Sequence, residues 1–501
     1  MLKKGNIMIR KYLYIALAAF SLTSCSEGLM DDINKDNSDP ASGTVDAKLQ
    51  VPGFILNTGF NVISGNYAWY ISSYTEQEFG DGNNQLYLVE TRNTGETASS
   101  ATFNNEWNSA YLNLRGIQEA IDKCSKGGLN EGQDDVKGMA EVMKAINIGI
   151  LTDLHGDIPY SEALQGSDKL NPKIDKQADI YTAIFSILDD AITDFKTAIS
   201  SDEQNVGSSD ILFANDNAQW LGLAYALKAR YKLHLLYRQP DVLSEVIDDA
   251  NAAIKAGFAG ANLSVFDANN NNPWTAYFYS RQYTGSSKTV CKLFEERSDP
   301  RESVYDVDIF GSGYGAGTPG NAEEAASTGV VDAPAWLDNP AASIHIFSKS
   351  ELYFILAEAE ARSGKDFKQD LGTAVATSFD DFKASDPGYV KSFSASSADA
   401  YIATLPLTLK EVMVQKYLSQ VRDEQIEAYN DIRRCKALGE EFITLTNPSN
   451  TSSIGNVWPL RLPYGESDVR SNPNVRTAFG SGNDAGKYVF TENVWWAGGS
   501  R

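Results

Sequence analysis

The sequence predicts an all-α protein, a tetratricopeptide-type helical-repeat scaffold interrupted by long, loop-rich excursions. Three observations point there. Apolar residues recur at helical spacing over most of the chain, strand-like alternation is scarce, and residues 258–347 are instead rich in Asn, Gly, Ser, Pro and Tyr.

The helices follow in chain order. Met139, Val142, Met143, Ile146, Ile150 and Leu154 predict a helix over 136–154 with one buried face. Tyr181, Ile184, Leu188, Ile192, Phe195 and Ile199 trace a cleaner stripe. Trp220, Ala224, Leu227, Tyr231 and Leu235 mark a third helix, and Val246, Ala250 and Ala253 a fourth that stops at Gly257, so that these two make a helical hairpin. Ser348 with Glu351, and Thr408 with Glu411, have capping-box spacing, the first opening a helix that Gly364 closes. The alanine-rich pairs suggest a stacked repeat, without a strict period of about 34 residues.

At the N-terminus, Lys3, Lys4, Arg10 and Lys11 flank or precede an apolar run from Tyr12 to Leu22. The run has signal-peptide length and falls short of the roughly 20 residues that span a bilayer as a helix. Leu22, Thr23, Ser24 and Cys25 have the form a lipoprotein signal peptidase reads. Cys25 is therefore expected to carry lipid, residues 1–24 to be removed, residues 25–45 to act as a polar tether, and residues 46–501 to fold as one domain. The 501-residue chain has 43 basic and 66 acidic side chains; without residues 1–24 the basic count is 39 and the net charge −27. That charge disfavours nucleic acid as a partner. Cys124, Cys291 and Cys435 are odd in number and far apart, which argues against a disulfide framework and leaves one isolated pair open.

Neutral oligosaccharides present apolar C–H faces ringed by hydroxyls, so a binder needs flat aromatic platforms beside hydrogen-bonding side chains. The stretch NNNNPWTAYFYSRQY (269–283) has that makeup, with Trp274, Tyr277, Tyr279 and Tyr283 among Asn272, Arg281 and Gln282. A second candidate is SGNYAWYISSYTEQ (64–77), with Trp69 and Tyr70. In both, the competing reading is that the rings only pin the segment onto helices. GSGYGAGTPG (311–320) lacks the strand and helix a phosphate loop requires and reads as a loop presenting Tyr314. His155, His234 and His345 form no metal-spaced cluster and suit core or cap roles, so no metal site or cofactor is implied. Carboxylates such as Asp31 and Asp32 could chelate calcium, but 66 acidic residues make chance clusters common. No nucleophile motif is present, and no catalytic residue is assigned. The Arg433 and Arg434 pair suits buried carbonyls or carboxylates.

Six segments in order resemble the SusD/RagB family of outer-membrane nutrient-binding lipoproteins of Bacteroidetes, in particular its starch-binding, outer-membrane-associating branch. They are LTDLHGDIPYSEAL (151–164), AQWLGLAYALKARYKLHL (218–235), SDPR (298–301), ELYFILAEAEAR (351–362), EAYNDIRR (427–434) and LRLPYGESDVRSNPN with the later Trp495 and Trp496. His155 departs from the family's usual aromatic residue. The resemblance implies a tetratricopeptide scaffold with a loop-rich ligand face, no catalysis, and a SusC-type TonB-dependent barrel as partner. It further implies capture of oligosaccharides, or alternatively of peptides or another nutrient, at the outer membrane, facing the cell exterior and held by the lipid anchor. A lipid-anchored scaffold that binds only proteins is the competing class, and a glycoside hydrolase the outsider.

Overall fold

Helices α1 (Asn66–Tyr74) and α2 (Asn104–Cys124) lead into a run of long helices, α3 (Asp134–His155), α4 (Gln177–Ser201), α5 (Asn217–His234) and α6 (Leu243–Lys255). Shorter helices α7 (Pro273–Arg281) and α8 (Lys288–Glu295) precede the second run, α9 (Lys349–Arg362), α10 (Lys368–Ser385), α11 (Leu409–Ser419) and α12 (Gln425–Ala437). The computed structural model describes residues 44–81, 85–281, 284–321, 331–390, 395–447 and 457–501. Helix accounts for 59% and strand for 4%. Three two-stranded antiparallel ladders pin excursions to the helices: β1 (Phe79–Gly80) with β5 (Thr284–Gly285), β2 (Ile158–Pro159) with β3 (Ile174–Asp175), and β4 (Ala261–Leu263) with β6 (Ile344–Phe347). Residues Ala47–Arg501 form one compact unit, and no helix among the described residues is long and apolar enough to cross a membrane. Cys25 and nearly all of the tether lie outside the described residues.

Consecutive helices pack on one another through α2 to α6 and again from α9 to α10, with α6 against α9 joining the runs. Two large apolar cores result among the described residues. The first is filled from α2 to α6, the second from α7, α8 and α10 to α12. α9 divides them, sending Leu352, Ile355, Leu356 and Ala359 into the first and Phe354 and Ala357 into the second. α12 divides its side chains in the same way, with Tyr429 on one side and Ile432 on the other.

Local signals explain most element ends. Ser348 Oγ accepts from the Glu351 amide at 2.9 Å and Thr408 Oγ1 from the Glu411 amide at 3.2 Å. The carboxylate halves of both boxes are drawn elsewhere, Glu351 to Arg230 and Glu411 to Arg297, because a guanidinium is the stronger partner. Gly257 and Gly364 close α6 and α9 at φ +85° and +68°.

Two expectations need correction. α3 is buried on nearly every side, not on one face, because α2, α4 and α5 all pack on it. Residues 258–347 are not loop throughout: α7 and α8 lie within them. Asn272 Oδ1 accepts from the Trp274 amide at 2.8 Å, Pro273 opens the first turn, and Trp274 and Phe278 bury one face. Ser287 caps α8 in the same way above buried Val290, Cys291 and Phe294. These signals were present but spread over helices too short to show a long period. Cys124, Cys291 and Cys435 are buried and form no disulfide with one another.

Candidate functional site

The two aromatic segments singled out in the sequence meet. Trp69 from α1 stacks on Tyr277 from α7, ring centroids 4.1 Å apart and 17° from parallel, and meets the edge of Trp274 at 6.2 Å. Trp274 is only 2% exposed and belongs to the second core, so it forms the wall behind the stack. Tyr70 is buried too, its hydroxyl donating to Glu96 Oε1 at 3.3 Å; burial and the Glu96 charge push that phenol well above its usual range. Trp69 and Tyr277 are half-buried, whereas Tyr279 is 48% exposed. Arg281 ends α7, and its side chain, like Gln282 and Tyr283, lies outside the described residues.

Asn272 is buried and serves as a bolt. Its amide donates to the Pro340 carbonyl at 2.9 Å and its Nδ2 to the Ala342 carbonyl at 2.8 Å, while Thr275 Oγ1 donates to the Asn339 carbonyl at 3.0 Å. These bonds fix α7 against residues 336–342, and that fixes Tyr279 beside Asp338. The hydroxyls of Tyr279 and Tyr389 donate one to each oxygen of Asp338. Partial burial, the hydrogen bond and the Asp338 charge push the Tyr279 phenol up to about 12, and the same causes raise Tyr389. Both therefore remain donors at neutral pH. Two rings, 48% and 41% exposed, are thus held on one half-buried carboxylate, and Phe310 flanks them through Phe278. Pinned rings lose little freedom when a ligand covers them, and the carboxylate keeps acceptor sites for hydroxyls.

Tyr389 and Asp338 were missed. Tyr389 follows an Asp386-Pro387-Gly388 turn in which Asp386 Oδ1 accepts from the amides of Gly388 and Tyr389, a legible device for presenting a ring. Asp338 carries no local signal, since its role depends on two chain segments meeting.

The conspicuous motif at 151–164 is structural. Gly156, at φ +78°, ends α3, and the Arg461 guanidinium packs against it, donating to the His155 carbonyl. Asp157 accepts from the Gln177 amide at 2.8 Å and from Lys176 Nζ at 2.9 Å. His155 lies in the core with Nε2 2.8 Å from the Tyr67 hydroxyl, and burial together with Arg461 pushes it down to about 3. Asp153, His234 and Glu427, far apart in sequence, come within metal-ligand distance of one another. Each of their donor atoms already has a protein partner: Tyr181 and Trp496 on Asp153 Oδ1, His234 Nδ1 against Asp153 Oδ2, His234 Nε2 against Glu427 Oε2 and Asn430 on Glu427 Oε1. The cluster is an imidazolium clamped between two carboxylates, a core role for His234.

A family model described as starch-binding, associating with outer membrane (SusD-like) matches residues 63–465. Among solved structures, a SusD/RagB family protein from Bacteroides thetaiotaomicron is similar at 34% identity and TM-score 0.80, over 91% of this chain and 100% of that one. A chitin-binding SusD homolog from Flavobacterium johnsoniae shares the fold at 18% identity and TM-score 0.69, over 89% and 98% of the two chains. Another structure, of a chitin-binding protein, does so at 22% and 0.70, over 90% and 100%. No curated protein matches by sequence.

Proposed function

We propose, for a chain that belongs to the SusD-like family, that it binds oligosaccharides at the outer membrane and hands them to a SusC-type TonB-dependent barrel. Lipid on Cys25 holds it at the cell exterior, and residues 46–501 act as a single nutrient-binding domain that captures ligand without chemistry. The observation that carries this reading is the surface built on α7, where the Trp69–Tyr277 stack lies on the helix that also presents Tyr279 to Asp338 and Tyr389. A sugar ring can lie on a tyrosine face while its hydroxyls donate to Asp338. Binding residues in this reading are Trp69, Tyr277, Tyr279, Tyr389 and Asp338, with Trp274, Tyr70 and Asn272 supporting them from beneath. Chitin-binding proteins of the same fold favour a glycan over a peptide. Calorimetric titration with starch-derived and chitin-derived oligosaccharides and with peptides of matched length tests it. Saturable glycan binding that weakens in Tyr279→Ala is expected; peptide binding alone, or released reducing sugar, would overturn the reading.

A further inference from the structure

Asp338 is a charge that only neutral groups answer. Its two oxygens each accept one bond, from the hydroxyls of Tyr279 and Tyr389, and no cation lies within ion-pair distance of it among the described residues. The carboxylate is half-buried, and two phenols do not balance its charge. Asp386 adds a second carboxylate close enough to act on the Tyr389 phenol. It accepts from the amides of Gly388, Tyr389 and Val390 and likewise has no ion pair among the described residues. The Asp338 carboxylate and the two phenol oxygens keep lone pairs, while both phenol hydrogens are committed to Asp338. Acceptors therefore converge, with neither phenol left to donate, beside two ring faces that are 48% and 41% exposed.

We propose that this surface holds the protonated amine of an amino sugar, an inference that rests on the glycan-binding reading. An ammonium has three donors and no acceptor, so it matches a carboxylate flanked by phenol oxygens. A hydroxyl matches it less well, because it brings lone pairs of its own. The ammonium is also drawn to the negative face of an aromatic ring. An N-acetyl group forfeits the charge and adds a carbonyl that neither phenol can answer. At long range the excess of 66 acidic over 43 basic side chains attracts a cation, and at short range the carboxylate fixes where it rests.

The test uses β-1,4-linked trimers of glucose, N-acetylglucosamine and glucosamine, which share a backbone and differ only in the substituent at carbon 2. Titrations are run on the wild type, on Asp338→Asn and on Tyr279→Phe/Tyr389→Phe, with melting temperatures recorded; Asp338→Ser replaces Asp338→Asn should that variant misfold. The glucosamine trimer should bind about tenfold more tightly than the glucose trimer, the worth of replacing a neutral hydrogen bond by a charge-assisted one. That ratio should fall toward one in Asp338→Asn and survive in Tyr279→Phe/Tyr389→Phe, which keeps the charge and both ring faces. In the wild type it should disappear at a pH where the amine is neutral. Equal affinities for the amine and hydroxyl trimers, or a preference that survives loss of the carboxylate and so reflects net charge alone, would overturn the inference. Neutral trimers that bind and weaken in Tyr279→Ala while the amine gains nothing remove this inference and leave the proposed function standing. Trilysine that binds through Asp338 when no trimer does assigns the cation to a peptide and removes both. Binding of no trimer at all likewise removes both.

Discussion

α4 and α12 are both core helices, yet they are buried by different means. α4 turns Ile180, Tyr181, Ile184, Leu188, Ile192 and Phe195 inward and leaves Asp189 and Asp190 in solvent. α12 is buried at every position from Gln425 to Cys435, including Glu427, Asp431, Arg433 and Arg434. Its charges are matched across helices: Arg434 to Glu358 of α9 at 2.5 and 2.8 Å, and Lys416 of α11 to Asp431 at 2.8 Å. Arg433 lies over the Tyr429 and Trp496 rings and donates to the Leu460 carbonyl at 3.1 Å. A helix facing oil on one side advertises itself by periodicity. A helix surrounded by protein is specified by partners elsewhere in the chain, which hydropathy does not record.

The comparison breaks most sharply at Arg434. Removing a fully buried guanidinium leaves Glu358 with an uncompensated share of charge, so Arg434→Ala should cost about 3–5 kcal/mol in denaturant unfolding. Arg434→Met combined with Glu358→Leu should recover part of that loss, because an apolar pair carries no desolvation cost. Recovery will be incomplete, since Glu358 also serves Arg362 and Lys416. A single variant that unfolds like wild type would show that the charges on α12 do not specify its place.

The apolar core answers differently. Leu188→Ala should cost about 2–5 kcal/mol through the cavity it leaves, whereas Ile199, 45% exposed at the end of the same stripe, should change stability by less than about 0.5 kcal/mol when cut to Ala. Ile199 was counted in the apolar stripe, and its exposure shows that a stripe can outrun the surface it packs on. Trp274→Ala belongs with Leu188, at about 3–5 kcal/mol, because its ring is in the second core. Equal losses at Leu188 and Ile199 would refute the burial pattern described for α4.

That contrast also measures what the sequence could reveal. Long helices with one or two oily faces, their caps and their glycine stops were legible because each signal is local. The aromatic segments at 64–77 and 269–283 were legible as compositions, but their convergence through Trp69 and Tyr277 was not, since they are far apart in the chain. Burial sorts the rings of the segment at 269–283: Trp274, the largest, faces inward because an i, i+4 spacing with Phe278 puts both on the packed side of α7. Asp338 was invisible for the same reason as Glu358, its meaning residing in partners.

Two buried histidines sharpen the comparison through pH. Burial alone would push His234 down, but Glu427 and Asp153 outweigh it and hold the imidazole up at about 9, while Glu427 is itself pulled down to about 2, by Arg230 and His234 against its burial. The stabilisation from His234 is complete below its ordinary value near 6.5 and is lost as pH rises through about 9. His155, pushed down to about 3 by burial and Arg461, acts in the opposite sense: its contribution is complete above 6.5 and declines as pH falls from there toward 3. Unfolding free energies measured across this range should therefore lose alkaline sensitivity in His234→Gln and acid sensitivity in His155→Gln. The same pH profile for both variants would contradict the assigned charge states.

The smallest effect on stability should be the largest on ligand. Tyr279 and Tyr389 are 48% and 41% exposed and belong to neither apolar core, so Tyr279→Ala and Tyr389→Ala should each shift unfolding by less than about 0.5 kcal/mol. Each removes a stacking face and one of the two hydroxyls on Asp338, while the surviving tyrosine keeps its own bond to that carboxylate. The loss in glycan affinity should be about tenfold, or ~1.4 kcal/mol, with the double variant losing less than the sum because the two rings share one carboxylate. Tyr279→Phe and Tyr389→Phe separate the contributions: each keeps the face and discards the bond to Asp338, so a loss confined to the alanine variants assigns affinity to stacking. Loss in the phenylalanine variants as well assigns it to the pinning of the rings. Unchanged affinity in all four folded variants would move the binding surface off α7.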